Sequence, residues 1–462
     1  MSKIAIIGSG VTGLIAGIGL RQQGHDVTIY SALSAEDWLT KVPPTGTACR
    51  FASSLDLERE LGVNHWEDST PIHGIHLTFS PKLGRQLIDL MGRFDRMALA
   101  IDVRAQSHRW THDFEALGGK VIIGNVDIPQ LEEIAAEADL TLVAAGKAAI
   151  GQLFEVDEDR SVYDKAQRNL TMFVFRNVRM DRRQDGIPFV HGIKFNFFAT
   201  EGEQFSIPYW HKDGYQCWNA LFEARPGGAF DKFGDCDTGE KVLARVKELF
   251  KQHIPWDYDW IKDAELADEK GWLRGSVRPC VKKPVGTLPS GAKVMALGDT
   301  ANTMDPIGGQ GANNCYRQIR VLLEAVKANP KGDFGEDWMT ATFDTYFERI
   351  GKATNAFNNL LLEKITPAAQ RVLIAQYGSD GKAETASVQQ SIANAFCNNF
   401  DDPNLLTTQL QDEAAALAYV NEISGGKAAR VDLGNKLKIA KGQIRQVLGL
   451  PRSDHPLARR SA

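Results

Sequence analysis

Three glycines near the start of the chain are spaced so that a phosphate group can approach the backbone. Gly8, Gly10 and Gly13 form a G-x-G-x-x-G sequence that follows a short apolar run, Lys3–Ile7, and precedes a segment with helical spacing. In that context the first glycine permits a tight turn, the second lets backbone amides approach a pyrophosphate, and the third lets helix and strand pack closely. The helix then presents unpaired N–H groups and its positive dipole end to the anion. The pattern predicts a dinucleotide-binding turn.

The ribose of such a dinucleotide usually binds an acidic residue directly after the second strand. Here Ser31 follows Tyr30 at that place, and the nearest acids, Glu36 and Asp37, come slightly late. The ribose contact is therefore either a hydroxyl, such as that of Ser31, or a displaced acid.

A second glycine-rich segment near residue 300 has the composition to hold a flat ring. A strand ends at Gly298-Asp299, a turn follows at Pro306, and Gly309 and Gly311 open a helix. The Asp299 carboxylate can accept hydrogen bonds from a ribityl chain, and the amides at the helix start can face the electron-rich pyrimidine edge of a flavin. Together the two segments predict FAD as the cofactor.

The elements that position these segments predict an α/β fold. One β-α-β unit occupies about the first thirty residues and begins a doubly wound, Rossmann-type sheet. Four strand candidates rich in Phe, Trp and Tyr then follow without helices between them, which indicates an inserted antiparallel sheet. Beyond residue 333 the spacing is helical. We expect a discontinuous FAD-binding domain at 1–165 and 275–332, an antiparallel-sheet substrate domain at 166–274, and a helical C-terminal region with a basic tail at 333–462.

Composition limits the classes of partner. The chain has 462 residues with 53 Lys and Arg against 58 Asp and Glu, a net charge of -5 that disfavours nucleic acid. The uncharged segment Ile4–Leu20 reaches the lower limit for a membrane span but contains five glycines, so no membrane partner is expected. The six cysteines lie far apart and fit a reducing cytoplasm. We expect no metal site, because no C-x-x-C or H-E-x-x-H sequence occurs.

The two glycine-rich segments resemble the FAD-binding domain of aromatic-ring hydroxylases. The chain up to about residue 405 further resembles the oxygenase component of two-component styrene and indole monooxygenases. The more family-specific matches are Gly146-Lys147 and Gln167-Arg168. The chain departs from the family at Gly46, where styrene-type enzymes are expected to carry Asn, and near Arg50, where they are expected to carry His. That stretch should pass close to the flavin and the substrate.

The resemblance implies a p-hydroxybenzoate-hydroxylase-like fold and a FAD-dependent monooxygenase. Reduced FAD and O₂ would form a flavin C4a-hydroperoxide that epoxidises styrene- or indole-like aromatic alkenes and sulfoxidises aryl sulfides. An NADH-dependent flavin reductase would supply the reduced FAD, and a homodimer is one assembly the chain could form. Three alternatives stay open at this point: a self-contained NAD(P)H-dependent aromatic hydroxylase, a FAD-dependent reductase or desaturase, and a flavin-binding protein without enzymatic activity.

The candidate site residues follow from these motifs and from the resemblance. No catalytic side chain is assigned, since the flavin would perform the chemistry. The expected cofactor contacts are Gly8, Gly10, Val11, Thr12, Gly13, Ser31, Arg104, Gly146, Gly298, Asp299, Pro306, Gly309, Gln310, Gly311, Ala312 and Asn313. The pocket candidates are Gly46, Thr47, Phe205 and Trp210, within a wider aromatic wall of Phe195, Phe197, Phe198, Tyr209 and Trp218.

Overall fold

The computed structural model describes residues 1–46, 49–145, 148–178 and 192–450. The strands in this part of the chain are β1 (Lys3–Ile7), β2 (Asp26–Ser31), β3 (Cys49–Arg50), β4 (Ile72–Ser80), β5 (Ile88–Ala100), β6 (Lys120–Ile123), β7 (Leu140–Val143), β8 (Asn169–Arg176), β9 (Gly192–Phe198), β10 (Gly202–Trp210), β11 (Gln216–Ala224), β12 (Glu265–Leu266), β13 (Trp272–Gly275), β14 (Cys280–Val281), β15 (Val285–Thr287), β16 (Lys293–Ala296) and β17 (Asn302–Thr303). The helices are α1 (Val11–Gln22), α2 (Ala35–Thr40), α3 (Ala52–Glu60), α4 (Val103–Ala116), α5 (Ile128–Glu137), α6 (Ala148–Gly151), α7 (Gly239–His253), α8 (Pro255–Ile261), α9 (Gln310–Lys327), α10 (Glu336–Tyr346), α11 (Lys352–Leu362), α12 (Pro367–Ala375), α13 (Val388–Asn398), α14 (Thr407–Gln411), α15 (Glu413–Ile423) and α16 (Ala428–Val447).

A six-stranded sheet carries both glycine-rich segments. Its strand order is β15-β16-β7-β1-β2-β6, and all neighbours run parallel except β15, which is antiparallel to β16. The inner strands are almost continuously apolar because helices cover both faces. Since the carboxyl ends of parallel strands lie at one edge, the turns after β1 and β16 meet there. The predicted α/β architecture is confirmed.

A nine-stranded sheet forms the second layer. Its strands run in the order β12-β8-β11-β10-β9-β4-β5-β3, and β13 also pairs with β8. The pairs are antiparallel except β4 with β9, which run parallel. The sheet thus includes β3, β4 and β5, which come from the range 1–165 expected for the FAD-binding domain. The domain limits proposed from the sequence, at residues 165, 274 and 332, stay a prediction.

The C-terminal helices cover one face of this larger sheet. Helix α13 lies so close to β5 that a Cβ on Gly92 would come 2.2 Å from the carbonyl oxygen of Ala393. Helix α10 continues through a π-helical turn, Phe347–Gly351, into α11. The expected basic tail is partly helical: α16 spans twenty residues and is fastened to α12 by the buried Asn435, whose Nδ2 donates to the carbonyl of Ile374 at 2.9 Å. None of the helices in the described ranges is long and apolar enough to cross a membrane.

Candidate active site

The turn after β1 has the geometry that an anion-binding site needs. Gly8 has a φ of +113°, and a Cβ on Gly13 would lie 2.0 Å from the Gly8 carbonyl oxygen, so helix α1 packs directly on the turn. A Cβ on Gly10, in contrast, would meet no atom within 4 Å, because this glycine faces open space. Helix α1 begins at Val11 without a side-chain cap. Its first amides are therefore free to bind a ligand.

The two glycine-rich segments touch each other at Thr12. Gly298 has a φ of +66°, and a Cβ there would lie 2.7 Å from the Thr12 hydroxyl oxygen. The Gly298 amide donates to Oε1 of Gln318 at 2.9 Å, which fixes the end of β16 on α9. The side chain of the next residue, Asp299, is exposed at this edge of the sheet. A carboxylate acceptor therefore stands beside the open turn.

The end of β2 and the loop after it carry the hydroxyl and the acids considered for the predicted ribose contact. Asp37 caps helix α2 by accepting from the Ser34 amide and also pairs with Lys41. Glu36 is exposed and lies 3.8 Å from Nε2 of His112, so both acids are engaged elsewhere. The Ser31 hydroxyl is buried, 2.5 Å from that of Ser9, at the edge where the ribose would lie. The Ser31 hydroxyl also donates to the Leu33 carbonyl at 2.6 Å, so it is engaged as well, and the choice between a hydroxyl and a displaced acid stays open.

The segment Pro306–Gly308 forms one turn of 3₁₀ helix and leads into α9 through Gly309, whose φ is +60°. Helix α9 has no side-chain cap, so the amides of its first turn, which belong to Gln310, Gly311 and Ala312, can bind a ligand. The side chain of Gln310 is occupied within the protein, because Nε2 donates to the carbonyls of Gly308 and Phe400. A cofactor contact at these positions would therefore be made by backbone.

Asn313 holds the glycine-rich segment against β3. Its Nδ2 donates to the carbonyls of Cys49 at 2.8 Å and Gly309 at 2.7 Å, and its Oδ1 accepts from the amide of Phe51 at 2.9 Å. The residue is fully buried. Asn313 thus ties the loop that would hold a flavin to the chain that forms one side of the adjoining cavity.

Arg104 occupies a buried ion-pair network rather than an open position. Its guanidinium donates to Asp102 at 2.7 Å and to Asp268 at 2.8 Å, and His211 also contacts Asp268 at 2.7 Å. These hydrogen bonds outweigh the effect of burial, so the pKa of the Asp268 carboxyl falls well below its ordinary value. A direct contact between Arg104 and FAD stays a prediction; in the structure its guanidinium is fully buried and paired with the two carboxylates.

An apolar cavity lies between the larger sheet and the start of α9. Its wall consists of Cys49, Phe51, Ile75, Ile193, Phe195, Phe205, Ile207, Ile307, Gly308, Gly309 and Phe400. The enclosed space between these residues is about 30 Å³. Burial raises the pKa of the Cys49 thiol to about 12, so this side chain is a neutral thiol at physiological pH. The cavity touches the glycine-rich segment directly and offers an apolar wall to an aromatic molecule beside a ring bound there.

The aromatic residues expected to form the pocket lie on both faces of the larger sheet, and only some of them face the cavity. Phe195 and Phe205 line the cavity. Phe198 and Trp218 face a separate core on the other side of the sheet. Trp210 packs against Leu55, Leu99 and Ile101 and is not part of this cavity's wall, so its expected place in the substrate pocket stays a prediction. Successive residues of a strand point to opposite faces, so only part of an aromatic-rich strand can line one cavity.

The chain around Gly46 is only partly described. Gly46 has a φ of +114°, and a Cβ there would meet no atom within 4 Å. Thr47 and Gly146 lie outside the described residues. Arg50, where the family is expected to have His, is buried and forms an ion pair with Glu58. The Arg50 side chain therefore belongs to the packing behind β3.

The residues at this edge fit a bound FAD. The open face of Gly10, the uncapped starts of α1 and α9 and the exposed Asp299 are the pyrophosphate, ring and ribityl partners that the sequence predicts. The positions of Gly8 and Gly13 explain why glycine is needed there. The cavity residues Ile75, Ile193, Ile207 and Phe400 were not predicted, because an apolar residue on a strand or helix looks like ordinary core.

A cluster of buried charged side chains lies beside the cavity and was not predicted either. Arg168 forms a two-point ion pair with Glu203, with Nε to Oε2 at 2.8 Å and Nη2 to Oε1 at 3.1 Å. Burial and the neighbouring Asp305 carboxylate raise the pKa of Glu223 well above its ordinary value. Asp305 directly precedes Pro306 and accepts from the Ile307 amide at 3.2 Å. The pair therefore supports the glycine-rich segment from behind.

One exposed group could hold a metal ion, contrary to the sequence-based expectation of no metal site. Glu36, His108 and His112 each place a ligand atom within 4.8 Å of the others, and this is the one such group found in the described residues. The two histidines are four residues apart on α4, a spacing that puts both on one helix face. The sequence-based expectation overlooked this spacing.

Comparison with known proteins shows which family the chain resembles. Residues 146–259 match the family model described as "Styrene monooxygenase A putative substrate binding domain". Styrene monooxygenase StyA of Pseudomonas fluorescens is 25% identical over 411 residues, covering 87% of this chain and 93% of that protein. A second StyA, from Pseudomonas sp, is 27% identical over 333 residues, covering 71% and 78%. These matches confirm the sequence-based resemblance.

Among solved structures, a triple mutant of a flavin-dependent brominase superposes with a TM-score of 0.61 at 13% identity, covering 89% of this chain and 99% of that one. This likeness concerns the fold alone. It confirms the predicted p-hydroxybenzoate-hydroxylase-like architecture.

Proposed function

Because this chain is similar over most of its length to oxygenase components of the styrene monooxygenase family, we propose that it epoxidises small aromatic alkenes of the styrene and indole type. It is a FAD-dependent monooxygenase. The finer assignment to an alkene epoxidase rests on one observation: an apolar cavity that borders Gly308 and Gly309, where the flavin ring would lie. The same cavity admits an aryl sulfide, whose sulfoxidation we propose as a side activity.

The bound flavin supplies the activation of O₂ and the electrophilic oxygen. The protein holds the substrate against the ring and keeps water away, which depends on packing rather than on acid-base chemistry. The wall residues suit this role, because apart from the two glycines they are aliphatic, aromatic or, at Cys49, a thiol whose pKa burial raises to about 12. The amides at the start of α9 would stabilise negative charge at the pyrimidine edge of the reduced ring.

Reduced FAD comes, in this proposal, from a separate NADH-dependent flavin reductase. The styrene monooxygenase relatives, which span most of the chain, support that arrangement. Kynurenine 3-monooxygenase of Anopheles gambiae, 23% identical over 348 residues, keeps the self-contained NAD(P)H-dependent hydroxylase as the second candidate.

Product analysis with an external source of reduced FAD tests the proposal. The purified chain, FAD, NADH and a non-specific flavin reductase are combined in air with styrene, indole or methyl phenyl sulfide. We expect styrene oxide, indigo and the sulfoxide, each dependent on the chain. Formation of hydrogen peroxide alone, or of ring-hydroxylated products from styrene, would contradict the epoxidase assignment.

A further inference from the structure

A second apolar cavity lies next to the first, on the side of the C-terminal helices. It is lined by Leu77, Phe79, Phe195, Phe197, Leu360, Leu361, Glu363, Ile365, Ala369, Leu373, Phe396, Phe400 and Leu410. The enclosed space between these side chains is about 50 Å³. We call it the outer cavity and the one beside Gly309 the inner cavity. Phe195 and Phe400 belong to both walls, so the two cavities meet at these rings.

A single sheet face forms the floor of both cavities. On β9, Ile193 and Phe195 line the inner cavity, and Phe195 and Phe197 line the outer one. Alternate residues of a strand share one face and lie about 6.6 Å apart, so this floor extends for about 13 Å. The neighbouring strand β4 repeats the pattern with Ile75 below the inner cavity and Leu77 below the outer one.

Exposure increases from the inner cavity towards the outer one. The inner wall is buried, with Phe51, Ile75 and Ile207 each at most 3% exposed. Around the outer cavity, Leu360, Leu361 and Ile365 are half-buried and Glu363 is exposed. The outer cavity is therefore the end nearer solvent, and the path from it to the flavin side passes Phe195 and Phe400.

Arg168 of the buried charged cluster and the nearby Arg225 hold the mouth of the outer cavity in place. Helix α11 ends at Leu362, and its carbonyl accepts from Arg168 at 3.2 Å and from Arg225 at 3.4 Å. Two guanidinium groups at a helix C-terminus satisfy otherwise unpaired carbonyls and oppose the negative end of the helix dipole. Glu363 accepts from the Tyr163 hydroxyl at 2.8 Å. Leu360 and Leu361 therefore sit on a fixed rim.

We propose that the outer cavity is a second substrate subsite, which binds the apolar part of an elongated aryl alkene while its double bond lies in the inner cavity. Phe195 and Phe400 form the constriction between the two subsites. The ligand must be uncharged and apolar, because Glu363 at the rim is the one ionisable side chain in the described wall. The oxidation of such a substrate rests on the proposed function, whereas its binding in the outer cavity does not.

Binding to FAD-free protein tests the subsite without any turnover. The probe is 4-vinylbiphenyl, followed by its fluorescence, with styrene as the short competitor. In Leu361→Trp the larger side chain occupies the mouth of the outer cavity, so the terminal phenyl group of the probe can no longer be buried there. The affinity for 4-vinylbiphenyl should then fall by about ten- to a hundredfold. Ile365→Trp is the second rim variant. Leu61→Trp is the matched control, because Leu61 is equally half-buried but outside both cavities.

The same variants are then assayed with reduced FAD. We expect the ratio of kcat/KM for 4-vinylbiphenyl to that for styrene to fall in both rim variants and to stay constant in the control. Equal probe affinity in the wild type, the control and both folded rim variants would overturn the inference. If neither alkene is oxidised but the rim variants lose the probe, the proposed function fails and the binding subsite stands.

Discussion

At the scale of single residues, two glycines of one motif are required for different reasons. Gly10 has an extended backbone, with φ of −72° and ψ of −178°, and open space around its missing Cβ. Gly13 has the Gly8 carbonyl oxygen where its Cβ would be. We therefore expect Gly10→Val to fold normally but to lose FAD binding, because the branched side chain occupies the pyrophosphate space.

The matched variant Gly13→Val should instead lower the free energy of unfolding even without FAD, by roughly 1–3 kcal/mol for an overpacked contact. Urea unfolding and flavin titration of both proteins separate the two effects. Normal FAD affinity in a folded Gly10→Val protein would place the pyrophosphate elsewhere.

Asp299 is the expected acceptor for the ribityl chain. Replacing it by Ala removes a charge-assisted hydrogen bond, so FAD affinity should fall by about ten- to a hundredfold, or roughly 1.5–3 kcal/mol. Asp26→Ala, at an exposed carboxylate on β2, is the control. Fluorescence titration with FAD measures both, and a loss of substrate affinity alone would remove Asp299 from the cofactor site.

Glu223 gives the chain a pH-dependent stability. Burial and the neighbouring Asp305 carboxylate raise the pKa of Glu223 well above its ordinary value of 4.5. The folded state therefore keeps a proton that the unfolded chain releases, so this contribution is complete below about pH 4.5 and is lost as the pH rises towards the folded pKa. Glu223→Gln keeps the donor without the charge. Its free energy of unfolding should decline less than that of the wild type between about pH 5 and pH 8, and parallel declines would contradict the pairing.

At the scale of elements, the loop before β3 is the expected determinant of substrate choice. Gly46→Asn introduces the residue expected in styrene-type enzymes, and Asn tolerates a positive φ better than most side chains. We expect the ratio of styrene to indole turnover to change by about tenfold, a typical effect of reshaping an apolar pocket, with FAD affinity unchanged. Gly84→Asn, at an exposed turn with φ of +71°, is the control. An unchanged ratio would place the loop outside the pocket.

The sequence predicted those strands, turns and helices whose residues specify them without distant contacts. The strand, turn and helix around Gly8 could be derived from sequence because the glycine spacing and the apolar run specify them together. Strand β5 could not, since its centre carries exposed charges at Asp95 and Arg96, which hide the alternation. Phe400 could not be identified either, because its place in the cavity depends on contacts with α9, ninety residues earlier.

At the scale of the whole molecule, the chain carries one dinucleotide fingerprint, which FAD would occupy. We therefore expect the protein alone not to oxidise NADH or NADPH, and to bind reduced FAD more tightly than oxidised FAD, because only a difference in affinity favours capture of the reduced form. The measurement is anaerobic mixing of protein, FAD and either nicotinamide, with and without substrate. Rapid bleaching of the flavin band at about 450 nm without a reductase would favour the self-contained hydroxylase.

Asn313 joins the flavin side of the molecule to the substrate side through one amide group. It bonds to Gly309, which would touch the ring, and to Cys49 and Phe51, which line the inner cavity. Any shift on one side of this linkage moves the other, so the two binding equilibria share a free energy of coupling. The factor by which bound FAD raises the affinity for an aryl alkene must then equal the factor by which the bound aryl alkene raises the affinity for FAD. We expect Asn313→Ala to bring both factors closer to one.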